Sequence, residues 1–268
     1  MMPRRLVHLL LCAVFWPGIA RSASPLRYHS NDEIITWMKS LSRGSDGFAS
    51  YQSPGRSAKG REIGVISIGI PQGSEKNAKP AIIVNAAHHG DEKISTAAAL
   101  HLIETLMSSR RSSRTGIEAD DQIWAAALER YTFHVQPVVN PDGYESSTRE
   151  DSQGRDLNRD YAWPARSEAL SFKAPETRAV RDFIAGLGSV GGAIALHSGT
   201  EGVLWPWCHT KKAPDDAPLL TRLAWRTARA MNTSARQSWH DYPSAGEFTD
   251  FVYWRQKAPA LTIEVDRR

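Results

Sequence analysis

Short apolar segments alternate with helix-like segments along most of this chain. Residues with helical periodicity occur at Asn31–Leu41, Ser95–Met107, Pro175–Leu187 and Ala217–Met231. Apolar or β-branched runs of strand length occur at Glu62–Gly69, Ala81–Ala87, Tyr131–Val139, Gly192–Leu196, Gly202–Pro206 and Ala260–Glu264. Alternation of this kind predicts helices that flank a sheet on both faces. We therefore expect an α/β fold: a single-domain α/β/α sandwich with a central mixed, mostly parallel twisted sheet.

Residues that suit a metal site follow two of the strand-like runs. His89 and Glu92 come after Ala81–Ala87, and His197 comes directly after Gly192–Leu196. Open α/β sheets collect ligands at the carboxyl ends of their strands, so these side chains are expected to converge. Two histidines and one carboxylate form the ligand set of an open catalytic zinc site, in which a fourth position is left for water.

Two other pairs have the same spacing as His89 and Glu92. His101 and Glu104 lie inside a helical segment, where a histidine at the surface or the edge of the core is the better interpretation. His88 with Asp91 is the closer rival. Any single strand-end histidine is more often structural, and only the combination of two strand ends favours a metal site.

Glu264 ends the apolar run that begins at Ala260. A carboxylate placed directly after a buried run is costly unless it is paired or hydrogen-bonded. One interpretation is an edge-strand glutamate in a salt bridge. The other is a general base that accepts a proton from water.

Taken in order, the polar motifs of the chain resemble those of the zinc carboxypeptidases of the carboxypeptidase A type, in their small bacterial secreted form. The motifs are Ser57–Arg61, His89–Glu92, Asn140–Gly143, Thr148–Arg149, Asp156–Arg159, Pro175–Arg178, Leu196–Ser198, Tyr242–Asp250 and Thr262–Glu264. The resemblance extends from about Ser53 to Glu264, and this many motifs in one order argue against chance. The type member of the family is itself a zinc enzyme with two histidines and a glutamate as ligands, so that ligand set is not independent support.

The resemblance implies one Zn²⁺ per chain, held by His89, Glu92 and His197. It also implies that Glu264 acts as the general base and that Arg149 stabilises the oxyanion. Taken alone, Arg149 would more often belong to a solvated basic loop.

The resemblance implies a second group of residues that bind substrate. Asn158 and Arg159 would hold a terminal carboxylate, which a guanidinium group can bind through two hydrogen bonds. Tyr242 would close over the terminal residue, and Thr249 takes the position that selects its side chain in relatives. Asp156 would accept the far N–H of the first ligand histidine and so fix its tautomer.

These roles describe a metallocarboxypeptidase that hydrolyses the amide bond next to a free C-terminal carboxylate. Cell-wall (murein) peptide amidases of the same family are the nearest alternative, because Asp91 stands where digestive members carry arginine. A zinc deacylase of small N-acyl substrates would not need Arg149, Asn158, Arg159 or Tyr242. A non-catalytic binding protein would normally lack a ligand or the base, and this chain has both.

The first residues have the features of a secretory signal peptide. Met1–Arg5 is basic, Leu6–Trp16 is apolar but too short to span a bilayer, and Ala20–Ser22 is an acceptable cleavage site. We expect residues 1–22 to be a signal peptide, 23–52 an N-terminal segment with a short helix, and 53–268 the catalytic domain. The mature protein would be secreted or periplasmic, without stable membrane insertion; an uncleaved anchor is the alternative.

The composition of the chain excludes some classes of binding partner. Removal of residues 1–22, which hold three arginines, lowers the formal charge from +4 to +1, so neither nucleic acid nor an anionic membrane is expected as a partner. Cys208 is the one cysteine that remains, which excludes an intramolecular disulfide. A monomer that acts on peptides or peptidoglycan-derived peptides is expected. Ser108–Asp121 is predicted to be a solvated connector, and Asn140–Arg166 a long loop with little secondary structure.

Overall fold

The computed structural model describes residues 28–70, 79–112 and 119–266, so the predicted signal peptide lies outside the described residues. In this part of the chain, eight strands form one sheet in the order β1-β2-β4-β3-β5-β8-β6-β7. The strands are β1 Ala49–Arg56, β2 Glu62–Ile68, β3 Ala81–Ala86, β4 Thr132–Gln136, β5 Val190–His197, β6 Gly202–Trp205, β7 Ala235–Gln237 and β8 Ala260–Glu264. Strands β4, β3, β5 and β8 are parallel at the centre, whereas β1, β2 and β6 add antiparallel pairs. The predicted mixed sheet is confirmed.

Helices cover both faces of the sheet, as the sequence predicted. The helices are α1 Asn31–Arg43, α2 Lys93–Ser112, α3 Ala119–Arg130, α4 Pro141–Ser146, α5 Pro175–Ala185, α6 Ala217–Ala230 and α7 Phe248–Gln256. Short 3₁₀ turns occur at Leu157–Arg159, Glu168–Leu170 and Ser238–His240. Among the described residues there is no helix with the length and apolar character that a membrane crossing requires.

The apolar runs of the central strands supply two cores, one on each face. On β3, Ile82 and Val84 pack in one buried cluster, which also contains residues of α1, α2, α3 and α6. Ile83 points to the opposite face and packs with Val180 and Phe251, which belong to α5 and α7. Successive side chains of a strand alternate between faces, so a strand covered on both sides must be apolar throughout.

Several helices and strands of the structure were not predicted from the sequence, and each omission has a physical reason. Strand β1 contains Pro54 and is mostly exposed, so it lacks an apolar run. Among the described strands it pairs only with β2, at an edge of the sheet where proline is tolerated. The predicted boundary between residues 52 and 53 falls inside this strand. Strand β7 has three residues, which is too short for a recognisable strand pattern. Helix α7 carries apolar residues on all sides, so its sequence shows no helical periodicity.

Both predicted loops were wrong in part. The predicted connector at Ser108–Asp121 is shorter, because α2 continues to Ser112 and α3 begins at Ala119. The predicted loop at Asn140–Arg166 contains α4, which the side chain of Asn140 caps by accepting a hydrogen bond of 2.9 Å from the backbone N–H of Gly143.

Candidate active site

The three predicted metal ligands meet at the carboxyl edge of the central strands. His89 and Glu92 lie in the turn between β3 and α2, and His197 is the last residue of β5. Strands β3 and β5 are parallel neighbours, so their carboxyl ends lie side by side. The ligand atoms of the three residues all lie within 4.8 Å of one another, and the three side chains are buried.

The carboxylate of Glu92 lies between the two imidazole rings. Nδ1 of His89 is 2.8 Å from one of its oxygens, and Nδ1 of His197 is 2.9 Å from the other. Burial opposes the ionisation of Glu92, but the proximity of His197 and His89 outweighs it and lowers the pKa of Glu92. Three convergent, buried donors of these types fit the ligand set of a catalytic zinc ion.

Asp156 connects the first ligand to Arg149. Oδ1 of Asp156 lies 3.1 Å from Nε2 of His89, and Oδ2 accepts a hydrogen bond of 2.8 Å from Nη2 of Arg149. Burial raises the pKa of Asp156, but hydrogen bonding to His89 and the charges of His89 and Arg149 lower it overall. A carboxylate at Nε2 favours a proton on that nitrogen, which would leave the lone pair of Nδ1 for the ligand cluster.

Glu264 lies next to the ligand cluster, on a different strand. It is the last residue of β8 and is paired in register with His197 of β5. Its Oε2 atom is buried and has no hydrogen-bond partner among the described residues. Burial and the nearby carboxylate of Glu92 raise the pKa of Glu264. Because no salt bridge to Glu264 is found in the described part of the chain, the paired edge-strand interpretation has no support.

The predicted substrate-binding residues adjoin the same cluster. Nδ2 of Asn158 is 3.5 Å from Nε2 of His197, while its Oδ1 accepts a hydrogen bond of 3.0 Å from the backbone N–H of Phe248. Nη2 of Arg159 donates a hydrogen bond of 2.6 Å to the hydroxyl of Tyr242, a side chain that is 52% exposed. Asn158 is therefore a direct neighbour of the proposed metal ligands, and Arg159 follows it in the same 3₁₀ turn.

Most of these residues, although not Arg159 or Asp156, line one cavity of about 470 Å³. Its lining includes His89, Glu92, Arg149, Asn158, His197, Leu204, Ser238, Asp241, Tyr242, Glu247, Thr262 and Glu264. Thr249 is 1% exposed and is not among the described lining residues; it lies behind them, with Oγ1 3.5 Å from Oγ1 of Thr262. Glu247 was missed in the sequence, because an acidic residue inside a polar loop carries no distinguishing signal.

The rival histidines occupy different environments. His101 is exposed on α2. His88 is buried, and its Nε2 lies 2.9 Å from the hydroxyl of Tyr161. Burial lowers the pKa of His88, which keeps the ring neutral, and the ring stacks on His197 at 5.7 Å between centroids. Neither His88 nor His101 therefore belongs to the group of three convergent ligands among the described residues.

Known proteins resemble this chain in sequence over most of its length. A family model described as zinc carboxypeptidase matches residues 34–268. The chain is 29% identical over 266 residues to zinc carboxypeptidase A 1 of Drosophila melanogaster, which covers 86% of this chain and 59% of that protein. It is 26% identical over 258 residues to carboxypeptidase SOL1 of Arabidopsis thaliana, covering 89% of this chain and 50% of that protein. The chain thus spans between half and three fifths of the length of these curated relatives.

Solved structures share the fold. The structure of bovine thrombin-activatable fibrinolysis inhibitor in complex with tick carboxypeptidase inhibitor matches with a TM-score of 0.72 at 22% identity, covering 89% of this chain and 86% of that one. The crystal structure of the carboxypeptidase A from Helicoverpa armigera matches with a TM-score of 0.73 at 21% identity, covering 97% of this chain and 70% of that one.

Proposed function

We propose, from the premise that this chain belongs to the zinc carboxypeptidase family, that it hydrolyses the peptide bond next to a free C-terminal carboxylate. The observation that carries the proposal is the position of Asn158 and Arg159 beside the ligand cluster. An amide and a guanidinium group can bind a carboxylate. Because they lie next to the metal site, they suit a substrate whose scissile bond is one residue away from its terminal carboxylate.

His89, Glu92 and His197 would hold the zinc ion, and their convergence and burial support this assignment. When bound, zinc polarises a carbonyl group and acidifies water. Asp156, at Nε2 of His89, would favour the tautomer whose Nδ1 lone pair is available to the ion.

The chain's own residues carry the proton and the developing charge. Glu264, whose buried Oε2 faces no other partner among the described residues, accepts a proton from the attacking water and delivers it to the leaving amine. Arg149 lines the cavity and donates two hydrogen bonds to Asp156 through Nε and Nη2. Its Nη1 group, which lies 3.2 Å from Nδ1 of His89 in the free protein, can stabilise the carbonyl oxygen as it becomes negative.

The terminal carboxylate is bound by Arg159 and Asn158. In the free protein, Arg159 donates to the hydroxyl of Tyr242 and to the backbone oxygen of Asn158. An entering carboxylate takes the place of the neutral hydroxyl, because a charge-assisted hydrogen bond is stronger. Tyr242 is then free to cover the bound terminal residue, and Thr249 supports the pocket wall from behind.

A pair of peptides that differ only in a C-terminal acid or amide tests the proposal. With zinc present, the acid is expected to lose its last residue, as detected by mass spectrometry, while the amide is cleaved far more slowly. Arg159→Ala should lower activity on the acid by about 10- to 100-fold or more and hardly change the amide, since one charge-assisted bond contributes about 1.5–3 kcal/mol. Arg155→Ala removes a half-exposed arginine of the same loop and is the matched control. Equal cleavage of both peptides would favour a zinc deacylase instead.

The finer assignments belong to the same proposal. We infer a signal peptide at residues 1–22, an N-terminal segment at 23–52, a catalytic domain at 53–268, and a monomeric protein that is secreted or periplasmic. Peptidoglycan-derived peptides are the alternative substrate class, suggested by Asp91 in the first zinc motif. A panel that contains linear peptides and muropeptides separates the two classes by their products.

A further inference from the structure

We propose that His88 is a positioning residue of the metal site: its imidazole ring, held by Tyr161, fixes the orientation of the ring of His197. The inference rests on the proposed role of His197 as a zinc ligand and adds a residue from outside the ligand set. Its starting point is a fully buried histidine that packs beside the three convergent donors without being one of them.

The ring of His88 lies against the face of the ring of His197. The two ring centroids are 5.7 Å apart and the ring planes differ by 14°, which is the geometry of an offset parallel stack. Both side chains are buried. In a close-packed interior, a ring in contact with the face of another limits the rotation of that second ring. His88 therefore restricts the directions in which the nitrogens of His197 can point.

The other contacts of His197 do not fix the plane of its ring in the same way. Its Nδ1 lies 2.9 Å from Oε2 of Glu92, and its Nε2 lies 3.5 Å from Nδ2 of Asn158. These two contacts meet the ring at its edge, so the ring can still turn about the line that joins them. The ring of His89 approaches at an angle of 58°. The parallel ring of His88 is the contact that opposes this turning motion.

Tyr161 holds His88 in place. Its hydroxyl lies 2.9 Å from Nε2 of His88. Tyr161 is itself fully buried, and its ring packs edge to face against Phe172 and Phe248, with 5.7 Å between centroids in each pair. Its backbone N–H donates a hydrogen bond of 3.0 Å to the backbone oxygen of Gly246. The group that anchors His88 is therefore fixed by the surrounding core.

A histidine suits this position better than an apolar aromatic residue. Among the described residues, Nε2 of His88 is the hydrogen-bond partner found for the hydroxyl of Tyr161. A buried hydroxyl that loses its partner destabilises the fold. Burial lowers the pKa of His88, so the neutral ring adds no positive charge next to the metal site. One side chain thus provides both the flat surface for His197 and the partner for Tyr161.

Three variants separate the ring of His88 from its hydrogen bond. His88→Gln keeps a group that can bond to Tyr161 but removes the ring. Tyr161→Phe leaves the ring without its anchor. The double variant His88→Phe with Tyr161→Phe removes both partners of the hydrogen bond and keeps an aromatic ring next to His197. Tyr253→Phe is the matched control, because it removes another buried tyrosine hydroxyl, which donates a hydrogen bond of 3.2 Å to Asp216.

Co²⁺ added to the metal-free protein is the probe. Zinc is a d¹⁰ ion without visible absorption bands, whereas the visible bands of cobalt depend on ligand geometry. In His88→Gln the affinity for Co²⁺ should fall by about 10- to 100-fold and the bands should change, as expected when a group that orients a ligand is lost. Tyr161→Phe should show a smaller loss of affinity. The double variant and Tyr253→Phe should keep the bands and the affinity of the wild type.

The outcomes separate this inference from the ligand assignment on which it rests. If His197→Ala binds Co²⁺ as the wild type does, the assignment of His197 fails. If His197→Ala loses Co²⁺ while His88→Gln is folded, as checked by urea unfolding, and keeps the wild-type bands and affinity, the assignment stands and the inference is wrong. A residue that only stabilises the fold would give this second result.

Tyr161→Phe and the double variant decide the question if His88→Gln does not fold. Tyr161→Phe removes a single oxygen atom, and the double variant leaves no unpaired group from the pair. The inference requires Tyr161→Phe to bind Co²⁺ more weakly than the wild type and the double variant to restore the affinity. Wild-type binding by Tyr161→Phe, or a double variant that binds no better than Tyr161→Phe, would overturn it.

Discussion

Oδ1 of Asp156 lies 3.1 Å from Nε2 of His89, on the side of the imidazole ring opposite to Glu92. The other oxygen of Asp156 is bound to Arg149, so this one carboxylate orients both a proposed ligand and the proposed oxyanion-binding residue. Its backbone position is fixed as well, because it caps the 3₁₀ turn that carries Asn158 and Arg159. The proposed zinc ligands and the proposed substrate-binding residues are thereby connected through Asp156.

We expect Asp156→Asn to lower the affinity for zinc by roughly 10- to 100-fold, because the neutral amide holds the proton on Nε2 of His89 less firmly. Competition with a chromogenic chelator measures this change. Asp182→Asn, at an exposed ion pair with Arg181, is the matched control and should bind zinc as the wild type does. An unchanged affinity in Asp156→Asn would remove this residue from the orientation of His89.

The choice between histidines is tested by metal content. His197→Ala removes one of the three convergent donors and should bind much less than one zinc ion per chain. His101→Ala alters an exposed histidine of α2 and should keep about one zinc ion per chain, as measured by atomic absorption. Equal loss of zinc in the two variants would show that the ligands were chosen wrongly.

The sequence predicted the sheet and the ligand cluster because both depend on local patterns. Each central strand is an apolar run, and His89, His197 and Glu264 directly follow or end such runs. In a parallel sheet the carboxyl ends of neighbouring strands lie side by side, so the local pattern was enough to predict that these residues meet. The wall of the cavity could not be predicted in this way. Glu247 and Cys208 approach each other from segments 39 residues apart, and only the packed fold shows that their side chains meet.

Edge elements were missed for a related reason. Strand β1 is held by pairing with β2 and by packing against α5, although its own sequence contains Pro54 and few apolar residues. Its conformation is imposed by its neighbours, so it leaves little signal in its own residues.

Acid should destabilise the protein through His134, a buried residue of β4. Burial lowers the pKa of His134 from 6.5 to about 4, and its Nδ1 lies 2.8 Å from the hydroxyl of Ser67. Because the folded pKa lies below the unfolded one, the unfolded state takes up the proton first. Stability is therefore intact above about pH 6.5 and falls as the pH drops toward 4.

Between pH 7 and pH 5 this one group should cost the wild type about 2 kcal/mol of unfolding free energy. His134→Gln lacks the titrating ring, so its loss of unfolding free energy over the same interval should be smaller than that of the wild type by about 2 kcal/mol. Urea unfolding at each pH measures both losses. His101→Gln, which alters an exposed histidine, should follow the wild type. If His134→Gln and the wild type have the same pH dependence, His134 does not remain neutral in the folded protein.

Glu264→Gln separates metal binding from proton transfer. Glutamine fills the same position at the end of β8 but cannot accept a proton, so zinc content should stay near one ion per chain while turnover falls by roughly 10²–10⁴-fold. Burial raises the pKa of Glu264, and its carboxylate must be ionised to act as a base. The kcat/KM of the wild type should therefore decrease as the pH falls through this raised pKa, and the residual activity of Glu264→Gln should lack that acid limb. Metal analysis together with a pH profile of both proteins checks these expectations. Near-normal turnover in a zinc-loaded Glu264→Gln protein would exclude Glu264 as the general base.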